Sequence, residues 1–254
     1  MILAVDMGNT NIVLGCIDKG KTVFTERLST DLSKTEFEYS MSIKGAFDLY
    51  KIKPGDIEGA IISSVVPPLT GYIKGAIRKI SSKDAMIVGP GIKTGLNIKT
   101  DDPKGVGADL IVASVAALAR YGAPVIMVDM GTATTLAAID KDGNYLGGSI
   151  MPGLRSSLEA LVSTTSQLPR ISLIAPKKPI GRNTVDGMGS GIVLGNAAMI
   201  DGMLDRFEEE LGYPATVVAT GGLANLVIPQ CKRDIIIDDD LLLEGLEIIY
   251  NKNR

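Results

Sequence analysis

One short pattern occurs twice in this chain and limits what it can fold into. Val5-Asp6-Met7-Gly8-Asn9-Thr10 returns as Val128-Asp129-Met130-Gly131-Thr132-Ala133, about half of the 254-residue chain later. An apolar run precedes each copy (Ile2–Val5, Pro124–Val128), and another follows it (Asn11–Ile17, Thr134–Ile139). This reads as strand, tight turn, strand, with a carboxylate and a glycine at the turn. Gly8 and Gly131 carry no Cβ and let the backbone come close to a ligand. Thr10 and Thr132 add hydroxyls, and such a turn adds backbone N–H donors, a combination suited to phosphate oxygens. Asp6 and Asp129 cannot bind phosphate directly, but they can hold the cation that travels with it. One Asp-x-Gly at a strand end is a common turn. Two at matching places imply a duplicated fold whose loops grip a nucleoside triphosphate from both sides.

The chain has no histidine. That removes a Ser-His-Asp triad, a Cys-His pair and any His-ligated zinc site. A general base must then be a carboxylate, lysine, tyrosine or thiolate, and a metal site is expected to use oxygen ligands, which favours magnesium or a monovalent cation. A formal net charge of −3 and the absence of tryptophan give no footprint for nucleic acid. Asp6 interrupts the first apolar run too early for a signal peptide. No uninterrupted apolar stretch approaches the roughly 20 residues of a membrane span, so neither a membrane nor a nucleic-acid partner is expected and the location is read as cytoplasmic. Cys16 and Cys231 fall in or beside expected strands and read as reduced core residues; a disulfide between them is the alternative.

A pass along the chain gives the same plan twice. Ile2–Asp6, Asn11–Ile17 and Thr22–Leu28 read as a strand meander, with Asp18-Lys19-Gly20 as its first turn. A helix is expected over Thr35–Leu49, a strand over Ile57–Ser64, a helix over Leu69–Ile80 and a strand over Ala85–Val88. Gly89–Lys104 reads as a long loop and Gly107–Tyr121 as a helix. Strands are expected again at Pro124–Met130, Thr134–Ile139 and Tyr145–Ile150, and a long helical region from Asn183 to Leu211. Ala215–Ala219 and Arg233–Ile237 read as strands, Leu223–Ile228 and Leu241–Tyr250 as helices. The expectation is two α/β domains with mixed sheets, residues 1–121 and 122–254.

Other motifs compete with the paired loops. Gly15, Gly20, Lys21 and Thr22 satisfy the P-loop spacing. A working P-loop opens a helix, whereas Lys21-Thr22 leads into an alternating, strand-like run, so the match is rejected. Gly187, Gly189 and Gly191 lack both a preceding strand and the last glycine of a dinucleotide loop; they read as small residues at a close helix approach. Thr220-Gly221-Gly222 follows an apolar strand, and a flat adenosine end could lie against it; a plain βα turn is the competing reading. Asp109 opens a helix behind a glycine-rich loop, where a carboxylate can also serve only to complement the helix dipole.

In order, the chain carries VDMGNTN, GVGAD, VDMGTATT, GGSIMPGL, PIGRNT and ATGGLA. This set resembles the type III pantothenate kinases, over nearly the whole chain. The resemblance implies duplicated ribonuclease H-like (actin-like ATPase) domains, with mixed sheets flanked by helices and a nucleotide cleft between them. It implies ATP-dependent phosphorylation of pantothenate, the first step toward coenzyme A, with Mg2+ and a monovalent cation (K+ or NH4+). It implies a homodimer with the acceptor pocket near the subunit interface. By motif, Asp6, Gly8, Asn9, Thr10 and Asn11 form the first phosphate loop, with Asp6 near the magnesium. Gly131 and Thr132 belong to the second loop, Gly221 and Gly222 to the nucleotide site, and Asp129 to the monovalent cation. Asp109 matches the general base, and Thr100, Gly107, Ala108, Leu110 and Thr184 fall at pantothenate-binding positions. Three positions depart from the family pattern: Leu110 stands where arginine is usual, Gly105 where an acidic residue is usual, and Thr100 where tyrosine is common. All three belong to the acceptor pocket, whereas both phosphate loops are intact. The residues by themselves leave two other readings open, a nucleotide-binding regulator without catalysis and a kinase or phosphohydrolase for another small acceptor.

Overall fold

The computed structural model describes residues 1–254. The chain opens on the expected meander: β1 (Ile2–Met7), β2 (Asn11–Asp18) and β3 (Lys21–Ser29), paired antiparallel. At the turn between β2 and β3, Lys19 and Gly20 both have positive φ (48° and 80°). That geometry matches the right-handed twist of the flanking strands, and it places the P-loop lookalike in a hairpin rather than ahead of a helix. The chain continues through α1 (Glu36–Leu49), β4 (Gly59–Ser64), α2 (Pro67–Ser81), β5 (Ala85–Ile87), β6 (Asn97–Ile98) and α3 (Ala108–Tyr121). Thr35 and Glu38 close a capping box at the start of α1. α2 begins on Pro67 and Pro68, two residues earlier than expected, because a proline lacking its N–H loses nothing in the first helical turn.

The second half follows as β7 (Val125–Met130), β8 (Ala133–Ile139), β9 (Asn144–Pro152), α4 (Leu154–Thr164), α5 (Thr184–Leu211), β10 (Thr216–Thr220), α6 (Ala224–Val227), β11 (Ile236–Ile237) and α7 (Leu241–Lys252). The duplication is explicit in the sheets. The first has the order β3-β2-β1-β4-β5; the second has β9-β8-β7-β10-β11, with β6 added beside β9. In each, the first strand pairs antiparallel with the strand after its loop and parallel with the strand on its other side. No helix is long and apolar enough to cross a membrane.

Two compact units result: Met1–Leu96 with Asp101–Ala116 and Asp240–Arg254, and Asn97–Thr100 with Ala117–Asp239. Neither unit is one continuous segment: α7 returns to the first, and Asn97–Thr100 belongs with the second. In that unit Leu3, Val5, Met7 and Ile62 pack against Ile43, Phe47, Ile73 and Ile77 of α1 and α2 on one face of the sheet. α7 covers the other face, with Leu241, Leu243, Leu246 and Ile249 buried. Its approach is close enough that a Cβ on Gly15 would meet Leu243 Cδ2 at 2.6 Å. In the second unit Ile126, Val128, Met130, Val217 and Ala219 pack against Val193, Ala197, Ile200 and Leu204 of α5.

Four local readings change. α4 carries no element in the sequence reading, although Leu154, Leu158, Leu161 and Val162 recur at helical spacing; only Leu154 is fully buried, and Leu158 packs at the edge of the core. β6, a two-residue strand, lies inside the expected long loop. β11 is shorter than Arg233–Ile237, because the Lys232 and Arg233 N–H groups bond the Asp201 carboxylate and the Arg233 guanidinium bonds Asp205 and Glu208, all on α5. Cys231 is not in a strand; it follows the 3-10 turn Ile228–Gln230. Both cysteines are free, and burial pushes their thiols up, to about 11 for Cys16 and about 12 for Cys231.

Candidate active site

The first loop is tied down by its own hairpin and by the end of β3. Gly8 N–H donates to Asn11 O at 3.0 Å, Thr30 Oγ1 donates to Gly8 O at 2.6 Å, and Thr30 N–H donates to Thr10 O at 3.0 Å. Asn9, Thr10 and Asn11 are left exposed at the tip. Asp6, one pleat before, is buried, only 6% exposed. Leu3, Val5 and Met7 lie in the α1/α2 core, and strand side chains alternate, so Asp6 points to the face that α7 covers.

α3 brings a second carboxylate toward Asp6. Asp109 lies in the first turn of α3. Its Oδ1 accepts the Leu110 N–H at 2.8 Å. A Cβ on Gly107 would meet that same oxygen at 2.5 Å, so the glycine before the helix is what allows this side-chain position. Burial first, and then the Asp109 charge, hold the Asp6 carboxyl up at about 7, while the Ser63 hydroxyl opposes them. Burial also raises Asp109, against the Leu110 N–H and its own, which lower it. A base raised toward neutral pH is well matched to taking a proton from an alcohol in the transition state.

Asp6 Oδ1 is buried with no hydrogen-bond partner. A hard cation is a suitable partner for an orphaned carboxylate oxygen. No group of three or more Cys, Asp or Glu side chains is gathered to cage a metal. Mg2+ is usually held by one or two carboxylates together with waters and substrate phosphates.

In the second unit, the Gly131-Thr132 turn is exposed and joins β7 to β8. Two neighbours shape it. A Cβ on Gly153 would meet Gly131 O at 2.9 Å, and Ser156 Oγ donates to Thr132 O at 3.0 Å, so the start of α4 presses on the loop. Gly221 has φ +100°, and a Cβ there would meet Met130 C and O at 2.7 Å. Only glycine tolerates that backbone and that approach. The structure therefore brings Gly131, Thr132, Gly221 and Gly222 into one neighbourhood. Gly153 sits in the GGSIMPGL motif, which had no assigned role; Ser156 is an addition whose only signal was a serine after a strand.

The acceptor-side residues divide between the units. Gly107, Ala108 and Leu110 share the α3 turn with Asp109 in the first. Thr100 and Thr184 belong to the second. Thr184 is the exposed first residue of α5, behind its N-cap Asn183. Thr100 Oγ1 is buried without a partner, beside Gly147, where a Cβ would meet Thr100 Cγ2 at 3.6 Å. A Cβ on Gly105 would meet Asp102 Oδ2 at 2.5 Å, the end of an exposed side chain that can turn away.

The Asp6 environment makes a pH prediction. Its pKa is higher folded (about 7) than the ordinary 3.8, so the ligand-free protein is most stable below pH 4 as far as this group is concerned. That contribution is lost as pH rises toward 7. Asp6→Asn should therefore stabilise the protein in EDTA at pH 8 by about 2–4 kcal/mol, with the gain shrinking toward pH 4, while turnover collapses. Denaturant melts at pH 5, 6.5 and 8 check this; equal stability of the two proteins at every pH would refute it.

The model of the type III pantothenate kinase family matches residues 2–206. A type III pantothenate kinase from Halalkalibacterium halodurans is 47% identical over 253 residues, covering 100% of both chains. One from Exiguobacterium sibiricum is 46% identical over 254 residues, again covering 100% of both. Among solved structures, a Sinorhizobium meliloti protein assigned as a 2-dehydro-3-deoxygalactonokinase gives a TM-score of 0.64 at 13% identity, covering 100% of this chain and 97% of its own. Component A of the Acidaminococcus fermentans (R)-2-hydroxyglutaryl-CoA dehydratase gives 0.57 at 14% identity, covering 98% and 96%. At these identities the solved structures speak for the fold alone, a duplicated actin-like α/β architecture. The sequence relatives span the whole chain, and on them it belongs to the type III pantothenate kinase family.

Proposed function

We propose that this chain transfers the γ-phosphoryl group of ATP to the primary hydroxyl of pantothenate, the first step of coenzyme A synthesis, in the cytoplasm. The observation that carries the proposal is buried Asp6 at the end of β1 facing half-buried Asp109 in the first turn of α3, in a chain whose full-length relatives are named for this activity. Asp109 accepts the hydroxyl proton as the acceptor oxygen bonds to the γ-phosphorus and the bond to ADP breaks. Its raised pKa and fixed rotamer suit that role. Asn9, Thr10, Asn11, Gly131 and Thr132 receive the phosphates, and Gly221 and Gly222 receive the adenosine end. Magnesium at Asp6 would neutralise phosphate charge as the transfer proceeds, and a monovalent cation is assigned to Asp129. Gly107, Ala108, Leu110, Thr100 and Thr184 are assigned to pantothenate. ADP release measured with and without pantothenate, in Mg2+ with K+ or NH4+, tests the reading. Release that does not depend on pantothenate would point to a hydrolase, and binding without turnover to a regulator.

A homodimer is supported by one face of α5. Gly187, Gly191, Gly195 and Ala198 are exposed at helical spacing, and nothing lies within 4 Å of a Cβ built on the three glycines. Such a stripe lets another helix approach closely. Light scattering at micromolar concentration should report a dimer; an active monomer would refute it.

Replacing Asp109 by Asn should cost about 10²–10⁴ in turnover, the usual worth of general-base catalysis, with ATP affinity nearly unchanged. Full activity in Asp109→Asn would remove it from the mechanism.

Leu110 is half-buried beside Asp109 and offers the acceptor only a hydrocarbon side chain. Leucine cannot replace an arginine that grips a carboxylate. Pantothenate affinity should accordingly be poor and ATP affinity ordinary. Leu110→Arg should lower the KM for pantothenate about tenfold to a hundredfold, the worth of one charge-assisted hydrogen bond, and leave the KM for ATP in place. No gain together with a fall in Tm would favour a different, more apolar acceptor.

A further inference from the structure

Asp6 is not the only orphaned oxygen at the end of β1. Ser63 faces it across the parallel β1–β4 pair, in the register Asp6↔Ser63. Register partners on neighbouring strands project from the same face of a sheet. The Ser63 hydroxyl and the Asp6 carboxylate therefore share the face toward α7. Ser63 is 0% exposed and Asp6 6%. Ser63 Oγ and Asp6 Oδ1 are both buried without a hydrogen-bond partner. Native structures rarely leave buried polar atoms unsatisfied, and each such case asks for an explanation.

The duplication repeats the arrangement. In the second unit Asp129 lies in register with Thr220 of β10, and Thr220 is 2% exposed. Each copy thus sets a hydroxyl residue, on the adjacent parallel strand, opposite its strand-end aspartate. The loop pattern itself does not contain this partner, since Ser63 and Thr220 lie far along the chain from the aspartates they oppose.

We propose that Ser63 is a positioning residue of the first phosphate loop, and that its hydroxyl completes with the Asp6 carboxylate the oxygen set that takes a divalent cation. A bridging water would satisfy both atoms, but it would leave the Asp6 charge facing Asp109. A hard cation answers both, because it neutralises the carboxylate and orders oxygen donors or waters around itself. The Ser63 hydroxyl lies close enough to lower the Asp6 pKa, yet neither Ser63 Oγ nor Asp6 Oδ1 meets hydrogen-bond geometry with any partner. The inference rests on reading Asp6 as the cation-binding carboxylate.

The test titrates Mn2+ alone into the full-length protein and reads free Mn2+ by electron paramagnetic resonance, with circular dichroism to confirm folding. The parent protein should show a saturable site that Asp6→Asn removes. Ser63→Ala should weaken that site about tenfold to a hundredfold, the usual effect of losing a group that supports a metal ligand, and Ser63→Thr should retain it. If Ser63→Ala fails to fold, Ser63→Cys carries the same expectation, because a thiol of similar size is a poor partner for a hard cation. Parent-like Mn2+ binding in a folded Ser63→Ala or Ser63→Cys would overturn the role of Ser63 and leave the Asp6 reading standing. A site that survives Asp6→Asn, or a parent protein with no site, would overturn both.

Discussion

The parallel pairing of β1 with β4, and of β7 with β10, is the constraint from which the rest of this structure follows. In each sheet the first strand is flanked by an antiparallel neighbour that begins at the loop and by a parallel one that arrives from a helix. Only the parallel neighbour ends beside the loop and then leads away into a helix, α2 in one unit and α6 in the other. The loop, the aspartate and the opposing hydroxyl therefore converge at one edge of the sheet. Ligands in open α/β sheets bind at such carboxyl ends of parallel strands.

That convergence is costly in the ligand-free protein. Asp6 is buried and Asp109 partly so, and burial disfavours the charged form of each. What makes the arrangement tolerable is local: the N–H groups at the start of α3 face Asp109, and a helix N-terminus favours negative charge. No comparable donor reaches Asp6 Oδ1. The site is thus under electrostatic tension, and perturbed polar groups of this kind cluster where function demands them.

Much of this was legible in the sequence, and the parts that were not share a cause. The repeated Val-Asp-Met-Gly pattern gave the duplication, both loops and the meanders, because period-two alternation and turn glycines are local signals. The hairpin at Lys19-Gly20 was readable for the same reason, which is why the P-loop spacing could be set aside. The return of α7 to the first sheet was not readable, since the apolar faces of Leu241, Leu243 and Leu246 do not say which sheet they cover. α4 was legible in the helical spacing of Leu154, Leu158, Leu161 and Val162, even though it buries a single leucine fully. Ser63, Gly153 and Ser156 become visible only when strand register and close approach are known.

The two copies of the loop have diverged in what surrounds them rather than in themselves. Around the first, α3 supplies a second carboxylate and a glycine that makes room for it. Around the second, the start of α4 and Gly221 supply backbone and a hydroxyl, packed so closely that no Cβ fits at Gly153 or Gly221. The first environment is built for charge and proton movement, the second for shape. A chain without histidine must use another group as its base, and Asp109, whose pKa burial raises, is a carboxylate suited to that. Duplicating the loop gave the scaffold two similar turns. The helix that brought Asp109 to only one of them is what made the pair unequal.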